Sequence, residues 1–551
     1  MRRMKGAAGL LTALLLAFQL SAQTFALANE DNGIKVVPVN FTHNGYSYEI
    51  EGVAKSTDGD YQMKSPARLA ARKLPSTYDP RSSGEITTVK DQASTGACWA
   101  FSALACAEQD LIKKGLENPS AEFSVPALVL SSNSGTATGK DDFSSGGNWL
   151  FAASALANGQ GLCYEDYEPF LESGTENMIV SENKKSVSEY RLNYVMELSS
   201  TTQVKRKIME LGAVSASYFA GNGYMNHNNT AYYDPDASKN TIINHSVIVV
   251  GWDDNYSKDN FRYKPANNGA WLVKGSWGAD QDNDGFYWVS YDEAEFGQFC
   301  CYDFEESCDN TYHYSKMTGY VVNASNDGSV YGANVFTAKA DEKLDKAGFM
   351  YVGKTGSADY TLSVYTNVSD SDPIGVLETQ ISGSVSANGF YTVDFPEDIL
   401  LEEGEKYSIS VKFSGDSGRG YLLAESDRTS KAQSGQSYIS LNGKYWSDVG
   451  ADKTDSIGSL FIYAYTDDTA KPDKSSLETT LAKYGTLAGC EREANNARTV
   501  LADETASKND ISNAQKLLIS AAEEQDEALV ITTEAQWESF AKRVSSGESF
   551  E

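Results

Sequence analysis

The stretch of sequence that decides the fold runs from Val89 to Ser102 and reads VKDQASTGACWAFS. Its cysteine, Cys98, follows a loop that contains glycine and precedes residues with helical spacing, so it stands at the predicted start of a helix. Backbone N–H groups at a helix N-terminus stabilise a thiolate. The amide of Gln92, which lies just upstream, could donate a hydrogen bond to a developing oxyanion. Taken alone, Cys98 is explained equally well as a small buried residue at the head of a core helix.

A histidine at the start of an apolar run forms the second informative element, NHSVIVVGW, from Asn244 to Trp252. The run predicts a strand, which would hold the imidazole of His245 on rigid support. The separation from Cys98 is one found between a cysteine nucleophile and its histidine base. Such an imidazole takes the thiol proton and later protonates the leaving amine. A lone histidine on a strand is more often an ordinary core residue, so the case depends on both elements together.

Together these elements resemble the papain-like cysteine peptidases, over residues 74–301. The resemblance rests on the opening LPSTYDPR, on the segments around Cys98 and His245, and on VKGSWG at residues 273–278, all in the order of the family. It implies an α+β domain in which Cys98 is the nucleophile and His245 the general base and acid. Gln92 and the Cys98 backbone N–H would form the oxyanion hole. The resemblance implies no cofactor and no metal.

Four further positions correspond to positions of the family, and one of them departs from its pattern. Gly146 and Gly147 resemble the glycine pair whose backbone binds extended substrate, and Trp277 resembles the indole that shields the histidine contact. Gly275, however, stands where the family has an asparagine that hydrogen-bonds the imidazole and orients it. Glycine has no side chain for this, so we expect a less well-oriented His245 and a lower rate, unless water or a neighbouring side chain substitutes.

Charge and the N-terminal residues indicate an exported protein. With 76 acidic and 46 basic residues the net charge is -30, which excludes nucleic acid as a partner and disfavours an anionic membrane surface. Residues 1–28 read as a signal peptide, because Arg2, Arg3 and Lys5 precede an apolar run too short to span a bilayer, followed by a small-residue cleavage site. No later segment predicts a membrane span, so we expect the mature chain to be secreted, extracellular and without one. A missing C-terminal part could attach it to the cell surface.

Composition and periodicity divide the rest of the chain into regions with different patterns. Apolar residues alternate with polar ones at Tyr360, Leu362 and Val364, which predicts half-buried strands of a β-sandwich. This region resembles the lectin-like domain that follows papain-like domains in some bacterial surface and secreted proteins, and it implies a glycan or surface ligand. The predicted regions are a propeptide or N-terminal extension (29–73), a papain-like domain (74–304), a lectin-like sandwich (305–467), a helical spacer or repeat (468–530) and the start of a truncated surface-protein repeat (531–551).

The interpretation that follows is a multidomain, secreted cysteine endopeptidase that acts on peptides or proteins through an acyl-enzyme. One alternative is a weakened or inactive peptidase homologue that serves as a surface adhesin, which Gly275 favours. Another is a cysteine acyl transferase, or transpeptidase, in which an amine intercepts the acyl-enzyme. A segment at residues 280–285, DQDNDG, imitates half of a calcium loop, but Tyr291 replaces its acidic bidentate ligand.

Overall fold

The computed structural model describes residues 35–38, 42–43, 46–47 and 73–526, with gaps at 133–142, 144–145, 160–161, 166–169, 171–188, 222, 238–242, 280–281, 316–320, 370–371, 427–431, 452–456, 471–472, 504–505 and 507. The predicted signal peptide, most of the predicted extension and the predicted terminal repeat lie outside the described residues. The chain divides into two compact units, one that ends at Thr469 and one that continues from Ala470.

The described helices are α1 (Cys98–Lys114), α2 (Val125–Ser132), α3 (Trp149–Ala157), α4 (Thr201–Leu211), α5 (Ser475–Tyr484), α6 (Glu491–Ala502) and α7 (Lys508–Asp526). The described strands are β1 (Lys35–Pro38), β2 (Thr42–His43), β3 (Tyr46–Ser47), β4 (Thr77–Tyr78), β5 (Tyr190–Leu198), β6 (Val214–Tyr218), β7 (Ala231–Tyr232), β8 (His245–Asp253), β9 (Ala270–Lys274), β10 (Phe286–Ser290), β11 (Gly297–Glu306), β12 (Asn310–Tyr312), β13 (Val321–Thr337), β14 (Glu342–Tyr351), β15 (Ala358–Thr366), β16 (Val376–Val385), β17 (Gly389–Leu401), β18 (Lys406–Ser426), β19 (Ser437–Ser440), β20 (Ser447–Asp448), β21 (Ile457–Leu460) and β22 (Ile462–Asp468).

The helix predicted after Cys98 is confirmed as α1, and its side chains are buried over most of its length. Gly115 ends it in the left-handed conformation, and its backbone N–H donates to the carbonyl of Ile112. At the other end the N-cap residue, Ala97, makes no side-chain capping bond. The first-turn N–H groups therefore have no capping side chain as partner, and they lie beside the cysteine.

One twelve-stranded sheet passes from the α+β region into the β-rich region. Its order is β12-β22-β14-β17-β5-β11-β6-β8-β9-β10-β7, with β4 pairing on β8. The junction lies between β17 and β5, where Gly389 pairs with Met196 in antiparallel register. A Cβ at Gly389 would lie 2.1 Å from the carbonyl oxygen of Val195, so only glycine allows this approach. The predicted domain boundary at residues 304 and 305 falls within β11 and stays a prediction.

A second sheet, with the order β16-β15-β18-β13-β19-β20, packs against β14 and β17 and completes the predicted sandwich. The strand predicted around Leu362 and Val364 is confirmed as β15, but it is buried on both faces there, because Ser363 between them is buried too. Phe413 meets Phe349 of β14 edge to face across the core, with ring centroids 5.1 Å apart. Strand β1, from the predicted extension, pairs antiparallel with β13 of this sheet.

The second unit contains α5, α6 and α7, as the helical spacing predicts. These helices share an apolar core that includes Leu477, Ala494, Ala514 and Leu518. Small side chains at these contacts allow close packing between short helices. Among the described helices, none combines the length and the apolar character that a bilayer span requires.

Candidate active site

Cys98 is the first residue of α1, and the loop before it is fixed at both ends. The backbone N–H of Gln92 donates to the Ser276 carbonyl at 2.8 Å, and the N–H of Gly96 donates to the Phe143 carbonyl at 2.6 Å. Burial raises the pKa of the Cys98 thiol above its ordinary value, while hydrogen bonds from the backbone of Ser246 and of the helix start oppose this. The thiol therefore rests in its neutral form and needs a base to become a nucleophile.

His245 begins β8, which packs directly against α1. The hydroxyl of Ser102, one turn along α1 from Cys98, donates to the Val247 carbonyl at 2.9 Å and ties the two elements together. The imidazole is 4% exposed and stacks on Trp277, with ring centroids 4.1 Å apart and an interplanar angle of 9°. Burial lowers the pKa of His245 to about 3. The ring is neutral at physiological pH and can accept a proton.

The outer nitrogen of this imidazole, Nε2, is buried and has no hydrogen-bond partner among the residues that the structure describes. An unsatisfied buried polar atom costs free energy, and here it also leaves the ring orientation to packing alone. Gly275 directly follows β9, and its backbone N–H donates to the Gly285 carbonyl at 3.0 Å. The geometry agrees with the expectation that the orienting amide is missing.

Gln92 is 5% exposed, and two hydrogen bonds fix its side-chain amide. Its Oε1 accepts from the Ser276 hydroxyl at 2.6 Å, and its Nε2 donates to the Thr95 carbonyl at 2.8 Å. An amide nitrogen carries two protons, so the second one remains for a further acceptor. Because both contacts fix the amide plane, Gln92 is preorganised as a donor.

These side chains meet in a cleft of about 710 Å³. Gln92, Cys98 and His245 line it together with Gly146 and Gly147. Gly146 has a φ of 70°, a conformation that favours glycine. A Cβ at Gly147 would lie 2.5 Å from the buried indole of Trp99, so this wall leaves no room for a side chain.

Two of the predicted positions lie outside this cleft. Trp277 stacks on the His245 ring and is itself 39% exposed. Gly275 lines a separate small pocket of about 20 Å³, with Ser246 and Ser276 among its neighbours. The calcium-like segment falls partly outside the described residues, and the described part of the chain contains no cluster of three metal-ligating side chains.

A cluster of buried charged side chains packs against α1, and its role was not predicted from the sequence. Glu108, a buried carboxylate on α1, accepts from the Thr87 hydroxyl and the Phe123 N–H at 3.0 Å each. Lys90 lies 3.3 Å from the same carboxylate, and Lys274 donates to Thr87 at 2.6 Å. Burial lowers the pKa of Lys274 to about 8. A carboxylate at an apolar position of the helical pattern was the available signal.

Asn148 and Trp149 are two further cleft residues that the sequence analysis did not single out. The Asn148 side chain caps α3 by accepting from the Leu150 N–H at 2.9 Å. An asparagine after a glycine pair and before an apolar run is a recognisable N-cap signal. It could have located the start of α3 and hence the cleft wall.

Comparison with known proteins finds two family matches in the part of the chain before Thr469. Residues 74–325 match the family described as papain family cysteine protease, and residues 311–466 match the lectin like domain. Cathepsin K of Mus musculus is 24% identical over 216 residues, which are 39% of this chain and 59% of that protein. The chain thus spans less than two thirds of that curated relative.

Two solved structures of Cwp84 resemble the chain over both parts. The cysteine protease and lectin-like domains of Cwp84, a surface layer associated protein of Clostridium difficile, are 25% identical with a TM-score of 0.63, and the match covers 83% of this chain and 96% of that one. The clostridial cysteine protease Cwp84 after propeptide cleavage is 28% identical with a TM-score of 0.62, over 71% of this chain and 99% of that one.

Proposed function

We propose that this chain, which joins a papain-family cysteine protease domain to a lectin-like domain, hydrolyses peptide bonds in its open cleft. The observation that carries the proposal is that Cys98, His245 and Gln92 line one cleft with the glycine wall at Gly146 and Gly147. A thiol at a helix N-terminus, a neutral imidazole on the neighbouring strand and a fixed amide donor are the parts that acyl transfer needs.

The reaction uses these groups in sequence. The Cys98 thiol gives its proton to His245 as its sulfur bonds to the peptide carbonyl carbon, and the oxyanion is held by Gln92 and the Cys98 N–H. His245 then donates the proton to the leaving amine as the C–N bond breaks, which leaves a thioester. Water, deprotonated by His245, attacks the thioester, releases the carboxylic acid and returns the thiol.

Export is part of the proposal. The N-terminal pattern of a signal peptide supports it, and a likeness to a surface layer associated protein fits an extracellular site of action. The substrate is then a peptide or protein outside the cell, and the lectin-like domain is the proposed contact for a glycan or surface ligand.

A binding protein without peptidase activity is the second candidate, and the orphaned Nε2 of His245 together with Gly275 favours it. In that case the cleft would be a remnant, and the lectin-like domain would carry the function.

The deciding experiment treats the purified chain with a papain-type peptidyl epoxide and measures intact mass, with Cys98→Ala as the control. We expect one adduct on the native chain and none on the control. A folded native chain that gains no adduct would refute the peptidase proposal and leave the binding function. Product analysis with an added amine then separates hydrolysis from acyl transfer, since only transfer yields an amide with the added amine.

A further inference from the structure

One wall of the cleft is formed by Trp149, the first residue of α3, and its indole is tied to a carboxylate behind it. The Nε1–H of Trp149 donates to Oε1 of Glu197 at 3.0 Å. Glu197 lies near the end of β5, the strand at which the sheet passes into the β-sandwich. Trp149 itself faces the same cleft as Cys98. The orientation of this wall therefore depends on where Glu197 is held.

The sandwich holds Glu197 through one loop residue, Asn388. The Nδ2 of Asn388 donates to the second carboxylate oxygen, Oε2, at 3.1 Å, and the backbone N–H of Glu197 donates to the Asn388 carbonyl at 2.9 Å. Asn388 is 4% exposed, and its Oδ1 accepts from the Gly353 N–H at 2.9 Å. The Gly353 contact fixes which end of the amide faces the carboxylate, because a flipped amide would lose that bond.

Burial raises the pKa of Glu197, and the bonds from Trp149 and Asn388 oppose this because both donate to the charged form. The carboxylate accepts one donor from the cleft and one from the sandwich. Removing either leaves a polar group in an enclosed place without its partner. An unpartnered indole N–H would turn toward water, and the ring would move with it.

We propose that Glu197 is a positioning residue for the substrate cleft, and that the lectin-like domain, through Asn388, sets how tightly the cleft holds an extended peptide. This inference rests on the proposed peptidase function. Glu197 acts through Trp149 and has no described contact with α1. Its loss should therefore weaken binding of an extended ligand and leave the intrinsic reactivity of Cys98 unchanged.

Two alkylating probes separate these effects on the full chain. A peptidyl epoxide must occupy the cleft before it reacts, whereas iodoacetamide needs only an accessible thiol. In Asn388→Ala, which removes one hydrogen bond to the carboxylate, we expect the second-order rate with the epoxide to fall about tenfold. Glu197→Ala removes the bonds from both Trp149 and Asn388, so its rate should fall at least as far. The iodoacetamide rate at Cys98, read by peptide mapping, should stay within about twofold of the native rate.

Asn193→Ser is the matched control. Asn193 accepts a hydrogen bond from Thr392 across the same sheet junction, but it lines a different pocket from Trp149. Both rates should be native in this variant. An epoxide rate in Glu197→Ala equal to that of the native chain would overturn the inference, as would equal losses with both probes.

A structural readout keeps the inference distinct from the proposed function. In chains labelled with 5-fluorotryptophan, the ¹⁹F resonance absent from Trp149→Phe identifies Trp149. We expect this resonance to shift in Asn388→Ala and to stay in place in Asn193→Ser. Failure of the native chain to react with the epoxide refutes the peptidase proposal alone. An unshifted Trp149 resonance in Asn388→Ala refutes the positioning role whatever the activity.

Discussion

Replacing Gly275 with asparagine should restore the group that orients His245. The site has room, because a Cβ at Gly275 would meet Cε1 of Tyr287 at 3.4 Å and the Gly285 carbonyl oxygen at 3.5 Å, which are ordinary contact distances. An amide oxygen that accepts from the imidazolium forms a hydrogen bond to a charged group, worth about 1.5–3 kcal/mol. If this is realised in the transition state, it corresponds to a gain of roughly 10- to 100-fold in rate. The same bond raises the pKa of His245 from about 3 toward its ordinary range.

The assay is the second-order rate of epoxide inactivation between pH 4 and pH 9, followed by intact mass, for the native chain, Gly275→Asn and Gly275→Ala. The alanine variant adds the Cβ without the amide and should react at the native rate. In Gly275→Asn the rate should rise and the acidic limb of its profile should move to higher pH. A folded Gly275→Asn that reacts at the native rate would refute the reasoning, and an equal gain in Gly275→Ala would show that packing is responsible.

Three further changes test the site and its support. As pH drops from 6.5 to 4, the free energy of unfolding of the native chain should fall by about 3 kcal/mol more than that of His245→Gln. The reason is that the pKa of the native imidazole is lowered to about 3, so the unfolded chain takes up the proton first. Urea unfolding that gives the same pH dependence for both chains would contradict this. Glu108→Gln keeps Lys90 paired with Glu165 but replaces the buried carboxylate that accepts from Thr87. It should lower the free energy of unfolding in urea by about 1–3 kcal/mol, and a native value would contradict this. Gly147→Ala places a methyl group 2.5 Å from Trp99. It should lower the free energy of unfolding by about 1–3 kcal/mol and slow epoxide inactivation. Native values of both would show that Trp99 moves aside without cost.

The sequence predicted the structure best where the pattern within a single helix or strand was sufficient. The spacing after Cys98 predicted α1, and the alternation around Leu362 predicted the strand β15, because the two periods reflect the backbone geometry of a helix and of a strand. The position of Gly275 in the segment VKGSWG also predicted a histidine without its orienting partner, and the orphaned Nε2 of His245 agrees with this. The roles of these residues in catalysis stay predictions.

The sequence by itself therefore determined which residues form the candidate nucleophile, base and oxyanion donor, and that a β-sandwich follows them. Only the tertiary structure decided that the two regions share one sheet, and that Glu197 joins Trp149 on the cleft to Asn388 in the sandwich. The physical reason is that periodicity identifies a buried face but not the strand that covers it. Glu197 and Asn388 are 191 residues apart, so their hydrogen bond exists only once the chain has folded.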